Sequence, residues 1–562
     1  MGMQISAGSR TMRRISRRRA LAATGSAALG ASALLAACAT RSSPGGSSGQ
    51  SSGAGAAKRG GTATGFFTSP SSEDLEPYGV RSESASTQPM LALVYSGLLR
   101  LKLGTQYSYT DRSMEGALAN KWEQPDPQTL VFHLRPGVRF HNKPPVNGRE
   151  LAAADVKFSF ERLLASPFAY LNFFSRIAGI DAPDNQTVVM KLKAPDGALL
   201  GHLATGFAWV TAKEAGKADP KSAAGLSYKE AATAIGTGPF MLDAYDHNSK
   251  ASLVRNSDYW EPGLPYLDRV EFLILGDTAS QLAALQTGQT TFGNLPLGSE
   301  ADFKSRNPKL VFTPKQQTQA WHKSMRTDHA PFTDVRIRRA LAMAYNQDNV
   351  KKVWGVPDTA SSYGSLTSIA GDAYLPLDQL GDAAQWWKND PAAAKQLLAA
   401  AGFPNGIEAD YNDSTCCAPQ EVYELFAADL AKVGVKLNIK IKEHAAYQAS
   451  TLLGQYEGTA GNQVPVYDPG DWFNLTNLIS SVRDISHVDD PTINDLTAKQ
   501  QSELDPKKRL DILHELVKYS AQQVYYLTEP QAVETEARQP ALKNYAPRLG
   551  YQPTLLAAWL DR

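Results

Sequence analysis

The densest group of potentially reactive side chains lies in residues 117–164, where His133 and His141 stand among several carboxylates. Imidazole and carboxylate together can hold a metal or share a proton as general acid and base. Neither histidine has a partner at metal-ligand spacing, and no His-Glu-x-x-His occurs: His514-Glu515 is followed by Leu516-Val517-Lys518. Gly49-Gln50-Ser51-Ser52-Gly53 matches G-x-S-x-G, the pattern of a nucleophile elbow. An elbow needs a strand before it and a helix after it. Residues 41–60 are Ser/Gly-rich and supply neither. No C-x-x-C is present. The chain is therefore predicted to carry no catalytic set, metal site or cofactor.

The elements that position these residues read as scaffold. Leu130, Phe132 and Leu134 alternate with polar positions, a strand with one apolar face. Pro136-Gly137 is a turn signal, and Val138 and Phe140 resume the apolar face, so the pattern predicts a hairpin with His133 and His141 on its polar side. Val156, Phe160, Leu163 and Leu164 fall on one face of a following helix, with Asp155 in its first turn. Further on, Asp390 caps a helix opened by Pro391 and ended by Gly402. Ile407, Ala409 and Tyr411 alternate as a strand; Val422, Phe426 and Leu430 mark a helix; Val435, Leu437, Ile439 and Ile441 alternate again. Strand, helix, strand predicts a βαβ unit with a right-handed crossover.

The chain has 562 residues, 43% of them apolar, enough for two or three domains with real cores. Formal net charge is +1, yet residues 1–37 hold six arginines and no acid, so the remainder is mildly acidic. Such a body lacks the electrostatic footprint of a nucleic-acid binder. Arg17-Arg18-Arg19 followed by an uncharged Ala/Leu-rich run to Ala37 is the basic and apolar part of an export signal. The arginine pair resembles a twin-arginine signal, and Leu35-Ala36-Ala37-Cys38 resembles a lipobox, which would make Cys38 the lipid-bearing N-terminus. Residues 1–37 are thus predicted to be the signal and 38–59 the lipidated cysteine with a flexible linker. The mature protein would sit outside the cytoplasm, on the periplasmic or outer face, tethered to the membrane.

Several blocks in order resemble the family 5 extracellular solute-binding proteins, the peptide/nickel class that serves ABC importers. They are residues 117–164; Gly236-Thr237-Gly238-Pro239-Phe240; Arg255-Asn256-Ser257-Asp258-Tyr259-Trp260 with Pro265-Tyr266-Leu267-Asp268; Leu285-Gln286-Thr287-Gly288-Gln289; residues 331–341; and Asp390-Pro391 through Ala401-Gly402-Phe403. The resemblance implies an α/β, periplasmic-binding-protein-like, two-lobed hinged fold with an extra small lobe. It places the first lobe in residues 60–100, 210–320 and 520–562, the small lobe in 101–209 and the third in 321–519. It also implies a monomer that takes a small solute, peptide or peptide-like, between the first and third lobes and hands it to a permease with its ATPase. An exported lipid-anchored hydrolase is the alternative, and a surface adhesion protein a third reading.

Ligand contacts are expected at strand ends beside helix starts. The loop holding Cys416 and Cys417 is so placed, and the two cysteines either form a strained vicinal disulfide or pack as small residues. In the family's peptide binders a D-Y-x-D-P-x-x-F element, whose first Asp meets the ligand ammonium, falls on residues 463–473. Here Asp468-Pro469 and Trp472-Phe473 match its end, but the first Asp position is Pro465. That leaves Asp468 or Asp471 as a substitute, or a ligand other than a conventional peptide. Tyr467 lies in the same stretch, and Trp321, His322 and Tyr551 match family positions that face the cleft. The family usually opens the helix after residue 152 with a threonine cap, where this chain has Ala152.

Overall fold

The computed structural model describes residues 56–562 apart from 69–74, 76, 79–86, 166–170, 220–224, 297, 358–359, 415–419 and 477–484. The predicted signal, most of the linker, Cys38, Cys416 and Cys417 lie outside the described residues.

Three sheet systems organise the chain. The first has two parts. Thr62–Phe67 pairs in parallel with Arg269–Ile274, which continues antiparallel into Lys250–Arg255 and Phe240–Asp246. Beside it, Val533–Arg538 is the central strand between Phe292–Asn294 and Val311–Gln316, antiparallel to both. The backbone N–H of Thr291 donates to the Thr64 carbonyl at 2.6 Å and ties the two parts together. The second system is a four-stranded antiparallel sheet in the order Ala119–Asp126, Thr129–Leu134, Thr187–Leu192, Ile177–Asp181. The third has five strands in the order Val435–Lys442, Ile407–Ser414, Thr459–Pro465, Gln319–Met325, Tyr526–Thr528.

The βαβ prediction holds in detail. Ile407–Ser414 and Val435–Lys442 are parallel neighbours in full register, joined by the helix Gln420–Ala431. Gly406 and Gly434 meet at the start of this pair: a Cβ on Gly406, where φ is +86°, would lie 1.8 Å from the Gly434 carbonyl oxygen. The Asp390 cap is also present, its carboxylate accepting from Ala393 N–H at 3.0 Å at the head of the helix Pro391–Ala400.

Three local expectations are corrected. The hairpin partner of Thr129–Leu134 is Ala119–Asp126, across a turn at Pro127-Gln128, and not residues 138–140. His141 consequently leaves the polar face and is fully buried. Its ring nitrogens take the Gly238 carbonyl at 3.0 Å and the Gly236 N–H at 3.3 Å, fastening residues 236–238 to the second sheet system. Desolvation lowers its pKa to about 4, so the ring is neutral at physiological pH. Ala152 lacks a capping side chain, but the helix Ala153–Ala165 does not go uncapped. Asp155 reaches back to the Ala152 N–H at 3.0 Å, the returning half of a capping box, and is itself clamped by Arg149 at 2.6 and 2.8 Å. Finally, the crossing predicted at residue 520 falls inside the helix Pro506–Gln523. Tyr526–Thr528 then still pairs with Gln319–Met325, so the chain leaves the five-stranded sheet only after Thr528.

One apolar cluster runs without a break from Leu130, Phe132 and Phe160 of the second system to Leu341, Phe426 and Leu516 around the third. The first system has its own core, built on Phe67, Phe240, Phe272 and Leu560. Each fully buried side chain of this size contributes about 1.5–3 kcal/mol of transfer free energy.

Candidate functional site

The carboxyl end of Thr62–Phe67 brings Phe66 and Phe67 to the edge of a cavity of about 260 Å³. Its floor requires two glycines. A Cβ on Gly293 would meet the Phe66 ring at 2.1 Å, and one on Gly65 would meet the Phe292 ring at 2.6 Å, so the two strands interlock only with hydrogen at both places. Phe67 stacks on Phe272 with ring centroids 4.6 Å apart, and Phe292 leans on Tyr545 at 5.1 Å. Across from this aromatic wall stand Gln317–Gln319, at the link between Val311–Gln316 and Gln319–Met325, and Tyr467, which follows Thr459–Pro465. The cavity is thus walled mainly by the first sheet system and closed by residues that continue into the third.

A charged row crosses the apolar wall. Glu534 and Glu536 share a face of Val533–Arg538 by strand periodicity, and Lys315 lies directly opposite Glu534 in register. The Lys315 ammonium is 3.1 Å from Glu534, which also accepts from Gln317 Nε2 at 2.9 Å and Asn294 Nδ2 at 3.3 Å. Glu536 accepts from the Tyr545 hydroxyl at 2.9 Å. Burial opposes the charge on Lys315 and Glu534, but their mutual attraction outweighs it: the lysine is held above its ordinary pKa and the glutamate below. For Glu536 burial wins, and its carboxyl is pushed up. Burial likewise pushes up the Tyr109 and Tyr545 hydroxyls. Arg548 donates from its two terminal nitrogens to the carbonyls of Ser108 and Asp111, the latter at 2.8 Å, and its buried Nε has no hydrogen-bond partner among the described residues.

Of the residues singled out from sequence, the structure brings two to the cavity. Tyr467 and Tyr551 both line it, each edge-on to Phe207, at 4.9 and 5.3 Å. Cys416 and Cys417 lie outside the described residues, and the rest do not line the cavity. Trp321 is half-buried, donates its indole N–H to Gln317 at 2.9 Å and packs edge-on against Trp354. His322 is fully buried on an interior strand, between Trp472 at 4.6 Å and Tyr526 at 5.1 Å. Desolvation lowers its pKa to about 3, so it stays neutral. Trp472 is fully buried in the same packing. Asp468 is committed to a bidentate pair with Arg509, one bond of which is 2.9 Å, and to the Gly470 N–H at 2.7 Å. Asp471 accepts from His202 at 2.8 Å and from the Tyr467 and Asp468 backbone N–H groups. Neither carboxylate is available as a substitute for the one missing at Pro465.

Lys315, Glu534 and Glu536 escaped the sequence reading. The signal was Glu534-Thr535-Glu536, two acids at strand period within a run that ends in Ala537. Only non-local strand pairing turns that face toward a cavity.

Residues 113–483 match the family model of bacterial extracellular solute-binding proteins, family 5 Middle. Over 400 residues the chain is 30% identical to heme-binding protein A of Haemophilus influenzae, covering 68% of this chain and 69% of that protein. It is 29% identical over 365 residues to di/tripeptide-binding protein 2 of Pseudomonas aeruginosa, covering 61% and 66%. Among solved structures, it matches the ABC transporter-associated periplasmic binding protein DppA from Helicobacter pylori, in complex with the peptide STSA. There the TM-score is 0.73 at 24% identity, with 90% of this chain and 99% of that one covered.

Proposed function

Because the chain belongs to the family 5 bacterial extracellular solute-binding proteins, we propose that the cavity beneath Tyr467 and Tyr551 is where it captures its solute. The protein is the solute-binding component of an ABC importer, with the α/β two-lobed fold of periplasmic binding proteins, and it acts outside the cytoplasm. Its family and relatives are transport proteins and not enzymes. The observation that carries the site is a pre-formed, aromatic-walled cavity with contacts from both sheet systems. A solute touching both walls favours the closed arrangement, a population shift that needs no catalysis.

The solute is a peptide or peptide-like molecule, held by Tyr467 and Tyr551. The small lobe is residues 101–209, and the third lobe continues to Thr528. Cys38 carries a lipid anchor, and the protein works as a monomer with a permease and its ATPase. Cys416 and Cys417 lie outside the described residues, and their contact with the solute rests on the sequence alone. Native mass spectrometry of the purified protein tests the site: a retained solute that is lost when Tyr467 and Tyr551 are both changed to alanine supports it. A retained solute indifferent to that double change counts against it. Replacing Cys38 by serine should release the protein from membranes, and fractionation after export reads this directly.

A further inference from the structure

The cavity carries a charge imbalance that solute binding in general does not explain. Glu534 is answered by Lys315 and by two side-chain amides. Glu536, two residues on and on the same strand face, is not: among the described residues no basic nitrogen lies within ion-pair distance of it, and its hydrogen bond comes from the neutral Tyr545 hydroxyl. Arg548, also on the wall, is bonded to backbone carbonyls and has its counter-charge in Asp111, 3.9 Å away. The acids on the far side are spent as well, Asp468 on Arg509 and Asp471 on His202. A buried carboxyl without a counter-charge is costly and draws a cation to itself. Phe66, Phe67 and Phe292 are also in the lining, and an aromatic ring whose face meets a cation favours the same sign.

We propose that Glu536 is the counter-charge for a cationic group of the captured solute, a primary ammonium or a guanidinium, whose apolar part rests on the aromatic wall. The proposal rests on the solute-binding reading and specifies its chemistry. The raised pKa of Glu536 is consistent with it, since burial is what lifts the carboxyl while Lys315, Arg538 and the Tyr545 hydroxyl pull the other way and Glu534 adds to the lift. An anionic group would have to enter beside that carboxyl with Lys315 already engaged.

The test uses three pools of compounds matched in size, added to the full-length exported protein at pH 7.5 and read by thermal shift and titration calorimetry. The first holds phenethylamine, the dipeptide Phe-Leu and aryl guanidines. The second holds their N-acetylated, uncharged counterparts, and the third aryl carboxylates such as 3-phenylpropionate. Only the first pool should stabilise the protein, with acetylation costing at least tenfold in affinity. Glu536→Gln should cost at least tenfold while circular dichroism stays unchanged. If that variant fails to fold, the wild-type protein still answers: each acetylated probe should bind at least tenfold more weakly than its cationic parent. Equal binding of the acetylated or carboxylate pool, or unchanged affinity in Glu536→Gln, overturns the cation assignment and leaves solute capture standing. A solute retained through purification and lacking a cationic group overturns it too. Absence of both pool binding and any retained solute would remove the solute-binding reading itself, and this inference with it.

Discussion

Replacing Arg509 by methionine isolates the cost of leaving one buried charge without its partner. Asp468 and Arg509 have side chains only 11% exposed, and the carboxylate receives two guanidinium bonds and the Gly470 N–H. Methionine fills the space of the aliphatic stem but removes both charge-assisted bonds. It also orphans the Gln500 carbonyl and side-chain oxygen, which Arg509 serves at 3.1 and 3.0 Å. Breaking one side of such a pair costs about 3–5 kcal/mol. In the native protein, burial tends to raise the Asp468 pKa, but Arg509 more than offsets this and holds it well below the ordinary value. A depressed carboxyl pKa contributes stability that is present above the unfolded pKa, near about 3.9, and is lost as pH falls through the folded value. In the variant this contribution is gone at neutral pH. Urea unfolding followed by tryptophan fluorescence should therefore show a large loss at pH 7 and a smaller one at pH 2.5, below the unfolded value, where the wild-type protein has itself forfeited part of the contribution. The double change Asp468→Asn with Arg509→Met should recover a substantial part of it. A penalty below about 1 kcal/mol at pH 7, or one equal at the two pH values, would refute the assignment of this pair as a mutually dependent buried ion pair.

Three further outcomes are accessible. Desolvation opposes the charge on His202, but Asp471 at 2.8 Å outweighs it and the folded pKa is raised. The resulting stability is complete below the unfolded value of about 6.5 and is lost as pH rises through the folded pKa, so the wild-type protein should be destabilised at pH 9 relative to pH 6; His202→Phe should flatten that slope, as thermal melts across pH will show. Asp155→Ala removes the returning cap and both Arg149 bonds, and should cost about 1–2 kcal/mol in denaturant titrations; an effect within experimental error would mean the helix end does not depend on it. Gly406→Ala forces a Cβ into the Gly434 carbonyl at a positive φ, so it should reduce soluble yield and lower the melting temperature, whereas Gly137→Ala, with nothing within 4 Å of its Cβ, should show only the smaller strain of its φ of +75°.

What could be read in the sequence was local. Asp390-Pro391 and the βαβ run around 407–442 were legible because caps and periodicity are properties of neighbouring residues. The hairpin was misplaced because Pro136-Gly137 outshone a turn at Pro127-Gln128, where Asp126 accepts from Gln128 N–H in a short-range turn of its own. His141 was misjudged because its partners lie 95 and 97 residues downstream. Asp468 stood in a recognisable motif, yet the arginine that neutralises it comes 41 residues later and gives no sign of doing so. Composition and alternation do not report strand pairing across the 219 residues that separate Lys315 from Glu534, and the charged row depends on just that.

The position of Val533–Arg538 also fixes an order of events during synthesis. This strand is the centre of its sheet, and it supplies the carboxyls of the cavity. The last strand, Trp559–Leu560, pairs with Leu542–Lys543, and the Lys58 ammonium reaches the C-terminal segment at Asp561, 2.6 Å away. A nascent chain that has reached residue 530 has therefore translated both flanking strands and has nothing to place between them. Loop closure over hundreds of residues is slow as well as late. Ribosome-stalled chains ending before Val533 should thus be protease-sensitive at Phe292–Asn294 and Val311–Gln316, the strands left without their central partner, and the cavity is completed only once residues 533–555 have been made.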